Sequence, residues 1–167
     1  MKPIEGYNKL RGGYYTPKKI AEFIATWAIR TKNDEILEPS CGDGSFISTI
    51  ADRLHEMGAS DQSIKHNVTG VELDKVEASK ASQYGPNVVQ SDFFTYYQTC
   101  IDGEKEFDVI VGNPPFIRYQ NFEEEYRKVA FELMTKHGFQ PNRLMNIWLP
   151  FLVLACKALK PDGRVGM

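Results

Sequence analysis

The chain has 167 residues, of which 42% are hydrophobic and 25% charged, and a formal net charge of −2. That length suits one domain with a real core, the composition is that of ordinary globular proteins, and no apolar run approaches the ~18 residues a membrane span needs. The charge balance leaves no general nucleic-acid footprint, although residues 1–32 hold seven bases (Lys2, Lys9, Arg11, Lys18, Lys19, Arg30, Lys32) against two acids (Glu5, Glu22), a bias that suits a phosphate-facing edge or a merely solvated terminus.

In chain order, Thr16-Pro17 predicts a helix start, with Thr16 as cap and Pro17 in the first turn. Ile20, Phe23, Ile24 and Trp27 follow at the spacing of one buried helical face. A short strand, Glu35-Ile36-Leu37, runs into the turn Glu38-Pro39-Ser40-Cys41-Gly42-Asp43-Gly44, and a helix is expected over 45–57. Strands are predicted at 68–73, 87–90 and 107–111, with helices over 75–83, 123–136 and 146–159. Lys160-Pro161-Asp162-Gly163 reads as a turn and 164–167 as the start of another strand. Strands alternating with helices of crossover length predict an α/β fold with a doubly wound, mostly parallel sheet. Trp27, Trp148, Phe151 and Leu152 are expected in its core.

In such sheets ligands bind beyond the carboxyl ends of the strands, near the point where strand order reverses. Four strand ends here carry chemistry. The first opens a Gly-rich turn at Cys41-Gly42-Asp43-Gly44, where missing side chains let a ligand reach backbone. The second ends Glu72-Leu73-Asp74, with an acid able to take both hydroxyls of a ribose. The third ends Ser91-Asp92-Phe93-Phe94, an acceptor beside an aromatic. The fourth ends Asn113-Pro114-Pro115-Phe116. Two prolines stiffen that loop, so an amide oxygen, a carbonyl and a ring are held together, a set suited to an exocyclic amine on a flat heterocycle. Each element alone also fits a strand-capping turn; their joint order carries the signal. The chain has neither GxGxxG after the first strand nor a GxxxxGK[ST] loop, which argues against a dinucleotide or triphosphate site.

The series Gly13-Tyr14-Tyr15-Thr16-Pro17, EPSCGDGSF at 38–46, GVELD at 70–74, SDFF at 91–94 and GNPPFIRYQ at 112–120 resembles the gamma-class DNA adenine-N6 methyltransferases of restriction–modification systems, particularly those that fuse methylation and cleavage in one chain. The resemblance covers nearly the whole sequence and implies a Rossmann-like class I methyltransferase fold with S-adenosylmethionine as cofactor. It matches Tyr15 and Thr16 to the element at the methionine end of the cofactor, and Glu38, Pro39, Ser40 and Gly42 to the loop that wraps it. Glu72 matches the ribose acid, Leu73 a residue packed by the cofactor's adenine, and Asp92 with Phe93 the acceptor and ring at its amine. Asn113, Pro114, Pro115 and Phe116 match the catalytic motif, with Phe at a position that is often Tyr.

The implied reaction follows from the substrate. Hydrogen bonds from the adenine amine to the Asn113 oxygen and Pro114 carbonyl localise its lone pair, and Phe116 stacks on the base, an interaction of about 1–3 kcal/mol. In-line attack on an already activated sulfonium needs no metal, and a base in duplex DNA must first be flipped out. RNA-base or protein-glutamine methylation shares the Asn-Pro-Pro-Phe logic, and a non-catalytic S-adenosylmethionine-binding module is a further reading. Asn at 113 leans towards adenine rather than cytosine-N4.

Relative to the family pattern the chain stops at the onset of its fifth strand. It therefore reads as residues 1–167 of a catalytic domain that lacks its last strands and its target-recognition domain, with an open sheet edge that invites dimerisation. Met1-Lys2-Pro3-Ile4-Glu5 lacks the apolar core of a secretory leader. Cys41, Cys100 and Cys156 are odd in number and without CxxC spacing, and His55, His66 and His137 are scattered, so a cytoplasmic protein with reduced thiols and no metal is expected.

Overall fold

A computed structural model describes residues 16–142 and 144–167 of the chain, without the Tyr119 side chain. Its elements are α1 (Lys18–Ala28), β1 (Ile36–Glu38), α2 (Ser45–Glu56), α3 (Asp61–Asn67), β2 (Val68–Glu72), α4 (Lys75–Ala81), β3 (Asn87–Gln90), α5 (Phe93–Tyr96), β4 (Phe107–Val111), α6 (Glu124–Lys136), α7 (Trp148–Lys157) and β5 (Leu159–Gly166). The strands form one sheet in the order β3-β2-β1-β4-β5, every neighbouring pair parallel. The expected α/β class and its parallel sheet are what the structure has. No helix among the described residues is long and apolar enough to cross a membrane.

Alternation along the strands builds two core layers, because successive side chains point to opposite faces. Ile36, Val68, Val109 and Val111 face one layer, with Ile47, Ile50 and Leu54 of α2 and the alanines of α1. Leu37, Val71 and Ile110 face the other, with Phe93, Phe94, Tyr97, Phe151 and Leu154. Strand order reverses between β1 and β4, where Ile36 pairs with Val109 and Leu37 with Ile110. The crevice outside the ends of these two strands is the expected ligand position, and Glu38 and Asn113 stand there.

Three expectations need correction. α1 buries Ala21, Ala25 and Ala28, while Ile20, Phe23 and Trp27 are 51%, 74% and 52% exposed. The apolar period is real, but small residues allow close approach to the sheet and α2, so the alanine face goes inward and the large one out. Trp27 is therefore not core. The helix begins one residue later than expected, with Pro17 in the cap position and no capping hydroxyl. Lys160–Gly163 is not a turn before a strand but a bulge within β5. Between the Phe107–Leu159 and Val109–Arg164 pairs, β4 advances two residues and β5 five, and Asp162 takes φ 64°. The helix at 61–67 and the π-helical turn at 97–101 carry no strong apolar period and were not expected from the sequence.

Candidate active site

The site is built from the ends of four strands. Glu38, the last residue of β1, is 1% exposed. Its Oε1 occupies the space above Gly112, where an added Cβ would lie 2.1 Å away, and its Oε2 is buried without a hydrogen-bond partner. Burial drives its carboxyl well above the ordinary range and the nearby Glu72 adds to this, while hydrogen bonds from the Ser40 amide and Cys41 thiol offset only part. Gly112 is thus required by contact: it lets the end of β1 lie against the residue that precedes Asn113.

The turn after β1 is held by the end of β2. The Cys41 amide donates to the Val71 carbonyl (2.9 Å) and the Gly42 amide to Glu72 Oε2 (2.8 Å), while Glu72 Oε1 accepts from the Asp74 amide (2.7 Å). Gly42 and Gly44 take φ 54° and 92°, and a Cβ on Gly44 would fall 2.7 Å from the Ala81 backbone. The Ser40 hydroxyl oxygen is a second buried polar atom without a partner. Pro39 is buried beside it. Burial raises the Glu72 carboxyl, its two amide donors notwithstanding. Each of its oxygens keeps a lone pair for a further donor.

At the end of β3, Asp92 is 5% exposed and caps α5, accepting from the Thr95 amide at 2.7 Å. Burial raises its carboxyl too. Phe93 is in the core: its ring stacks on Phe151 (4.9 Å between centroids, 19°). Any contact it makes with a ligand is at its backbone end. Leu73 is half-buried, and its carbonyl accepts from the Gln90 side-chain Nε2 (2.9 Å). Among the described residues no lysine or arginine pairs with Glu38, Glu72 or Asp92.

At the end of β4, Pro114 is buried, Asn113 and Pro115 are half-buried, and Phe116 is 59% exposed. Thr16 is half-buried at the foot of α1, and Tyr15 lies outside the described residues. The structure therefore gathers Glu38, Ser40, Gly42 and Glu72 through direct contacts, and sets Asn113 beside them through Gly112. Uncompensated acids and two orphaned oxygens fit a polar ligand that carries positive charge and hydroxyl donors. The exposed ring of Phe116 offers a stacking face next to it.

The family model described as N-6 DNA Methylase matches residues 4–167. The chain belongs to the N-6 DNA methylase family. It is 32% identical over 156 residues to Type II methyltransferase M.HincII of Haemophilus influenzae, covering 92% of this chain and 26% of that protein. It is 28% identical over 162 residues to Type II methyltransferase M.CvrRI of Paramecium bursaria Chlorella virus XZ-6E, covering 90% and 39%. The chain thus spans between about a quarter and two fifths of the length of these relatives. The DrdV–DNA complex shares the fold at TM-score 0.70 and 20% identity, over 96% of this chain and 21% of that one.

Two residues escaped the sequence reading. Gly112 was visible only as the residue before Asn-Pro-Pro-Phe, and its need to be glycine comes from Glu38, 74 positions away. Trp148 read as core, yet its indole lies against Phe116; an apolar run at a helix start gives no sign of that.

Proposed function

We propose that this chain is the catalytic part of an enzyme that transfers a methyl group from S-adenosylmethionine to the N6 amine of adenine in double-stranded DNA, in a restriction–modification setting. The observation that carries this reading is the meeting, at the β1/β4 switch point, of the buried Glu38, which has no cationic partner among the described residues, with the Asn113-Pro114-Pro115-Phe116 loop. S-adenosylmethionine supplies an activated methyl on a sulfonium. Glu38, Pro39, Ser40 and Gly42 hold it from the β1 turn, with Tyr15 and Thr16 at its methionine end. The Glu38 Oε2 and Ser40 oxygens take its donors. Glu72 accepts from ribose hydroxyls while keeping the Gly42 turn in place, Leu73 packs on the purine, and Asp92 with the Phe93 backbone takes the purine amine.

On the substrate side, the Asn113 side-chain oxygen and the Pro114 carbonyl accept the two N–H groups of the target amine. Pro115 keeps the loop stiff and Phe116 stacks on the flipped base. Sequence recognition belongs to other parts of a longer cytoplasmic polypeptide, of which residues 1–167 are a catalytic segment. The outer edge of β5 offers backbone groups for pairing with a second copy, which sedimentation of the purified chain would detect as a dimer.

The test uses the full-length protein, duplex DNA and methyl-labelled cofactor. Label is expected at adenine N6 in duplex, and absent from an RNA and glutamine-peptide panel. Asn113→Ala should lower transfer by at least roughly 10²–10³-fold while cofactor affinity by titration stays near that of the parent. Normal transfer in that variant, or label on the other substrates alone, would overturn the reading.

A further inference from the structure

Phe116 is the exposed ring of its loop, yet one of its faces is taken. The Trp148 indole lies almost parallel to it, at 6.0 Å between centroids and 22° between planes. Trp148 is fixed in turn by the chain on both sides. The Ile147 amide donates to the Ile117 carbonyl (2.9 Å), and Arg118 forms an antiparallel bridge with Asn146. The segment just after Phe116 is therefore zipped to the segment just before Trp148. Asn146 Oδ1 accepts the Trp148 amide (2.9 Å), which sets the first turn of α7. One turn on, Phe151 stacks on Phe93 and meets Phe94 edge-on at 4.8 Å, so α7 is anchored in the core.

A phenylalanine ring has no polar atom with which to fix its orientation, and the prolines before it restrain only backbone. An exposed ring left alone samples several rotamers and loses that freedom when a base stacks on it. A parallel indole behind it removes the freedom in advance, the usual advantage of preorganisation. We infer that Trp148 is a positioning residue for methyl transfer: it backs one face of Phe116, so that the opposite face is presented to the flipped base. Trp148 does not touch the base itself. This rests on the reading of Phe116 as the base-stacking ring.

The test is a cycle in the full-length enzyme with Trp148→Ala, Trp148→Phe, Phe116→Ala and the Phe116→Ala/Trp148→Ala pair. Readouts are cofactor affinity, kcat, KM for DNA, and the fluorescence of 2-aminopurine at the target position. Trp148→Ala is expected to keep cofactor affinity and to lose about tenfold in kcat/KM for DNA, the scale of one aromatic pair, with a weaker 2-aminopurine signal. Trp148→Phe should recover most of that loss. In the Phe116→Ala background, Trp148→Ala should cost little more, because it acts through Phe116. Parent-like kcat/KM in Trp148→Ala, no recovery by Trp148→Phe, or an equal loss with and without Phe116 would overturn the inference. The stack has its own test that needs no methylation. In a Trp27→Phe chain Trp148 is the sole indole, and Phe116→Ala must change its emission; unchanged emission overturns the inference whatever the enzyme proves to do.

Discussion

The two ends of the parallel sheet treat their acids in opposite ways. At the amino ends of β1 and β4, Asp34 meets Arg164 at 3.0 Å, and Lys160 meets both Glu35 (2.7 Å) and Asp108 (3.0 Å). Asp34 also accepts from the Arg30 amide and the Thr31 hydroxyl, and Asp108 from the Glu35 amide. Burial pushes the Asp108 carboxyl up, but the Glu35 amide, Lys160 and Arg164 outweigh it and the net effect is downward. The β5 bulge makes this possible, since the extra residues bring Lys160 and Arg164 to the same end. At the carboxyl ends, Glu38, Glu72 and Asp92 are raised and meet no base among the described residues. A matched set ties strands together; an unmatched set is what the proposed charged ligand would require.

The largest effect that would sharpen this contrast is on binding. Glu72→Ala removes the acceptor of the Gly42 and Asp74 amides together with the proposed ribose acid. Affinity for S-adenosylmethionine should fall by roughly 100-fold or more in calorimetric titration, whereas Lys160→Met at the other end should leave it unchanged. On stability the order reverses. Arg164→Ala leaves Asp34 buried without its cation and should cost about 3 kcal/mol in urea unfolding; a cost below 1 kcal/mol would break the comparison. Gly112→Ala forces a methyl against Glu38 and should cost about 1–3 kcal/mol, with part of that recovered in a Gly112→Ala/Glu38→Ser pair.

The smallest effect is the pH dependence, and its sign differs between the ends. The folded chain holds the Glu38 proton above the ordinary value of 4.5, where the unfolded chain releases it. Its contribution is therefore favourable at low pH and is lost as pH rises from 4.5 through the raised value. Asp108 is lowered from 3.8, so its contribution is present above 3.8 and is lost as pH falls through the lowered value. Glu38→Gln should raise the ligand-free melting temperature at pH 7 and flatten the loss with rising pH, while Asp108→Asn should lower it at pH 7 and flatten the acid limb. Melting curves of both variants between pH 3 and 9 would show whether the two ends respond oppositely.

Much of the site was legible because its residues sit in local patterns. The strand–turn–helix runs at 36–46, 68–74 and 87–94 and the Asn-Pro-Pro-Phe loop each combine a period change with turn chemistry that a linear reading detects. Phe93 shows the limit. Its place beside Asp92 was readable, but it opens the short helix α5, and its ring joins that of Phe94 in the layer around Phe151, a contact that only the packing of α5 against α7 decides. The α1 face shows the same limit from the other direction. Ile20, Phe23 and Trp27 have a correct helical period, and the alanines one step away fit better against α2.

From its sequence alone the chain determined the α/β class, the order of the strands and of the longer helices, and the identity of the residues at the strand ends, because periodicity and turn chemistry are local. Only the tertiary structure decided that Glu38 needs Gly112, that Trp148 backs Phe116, and that Lys160 and Arg164 close the far end of the sheet. Each of those depends on which strands become neighbours and in what register, and contacts between residues tens of positions apart leave no periodic trace in the chain.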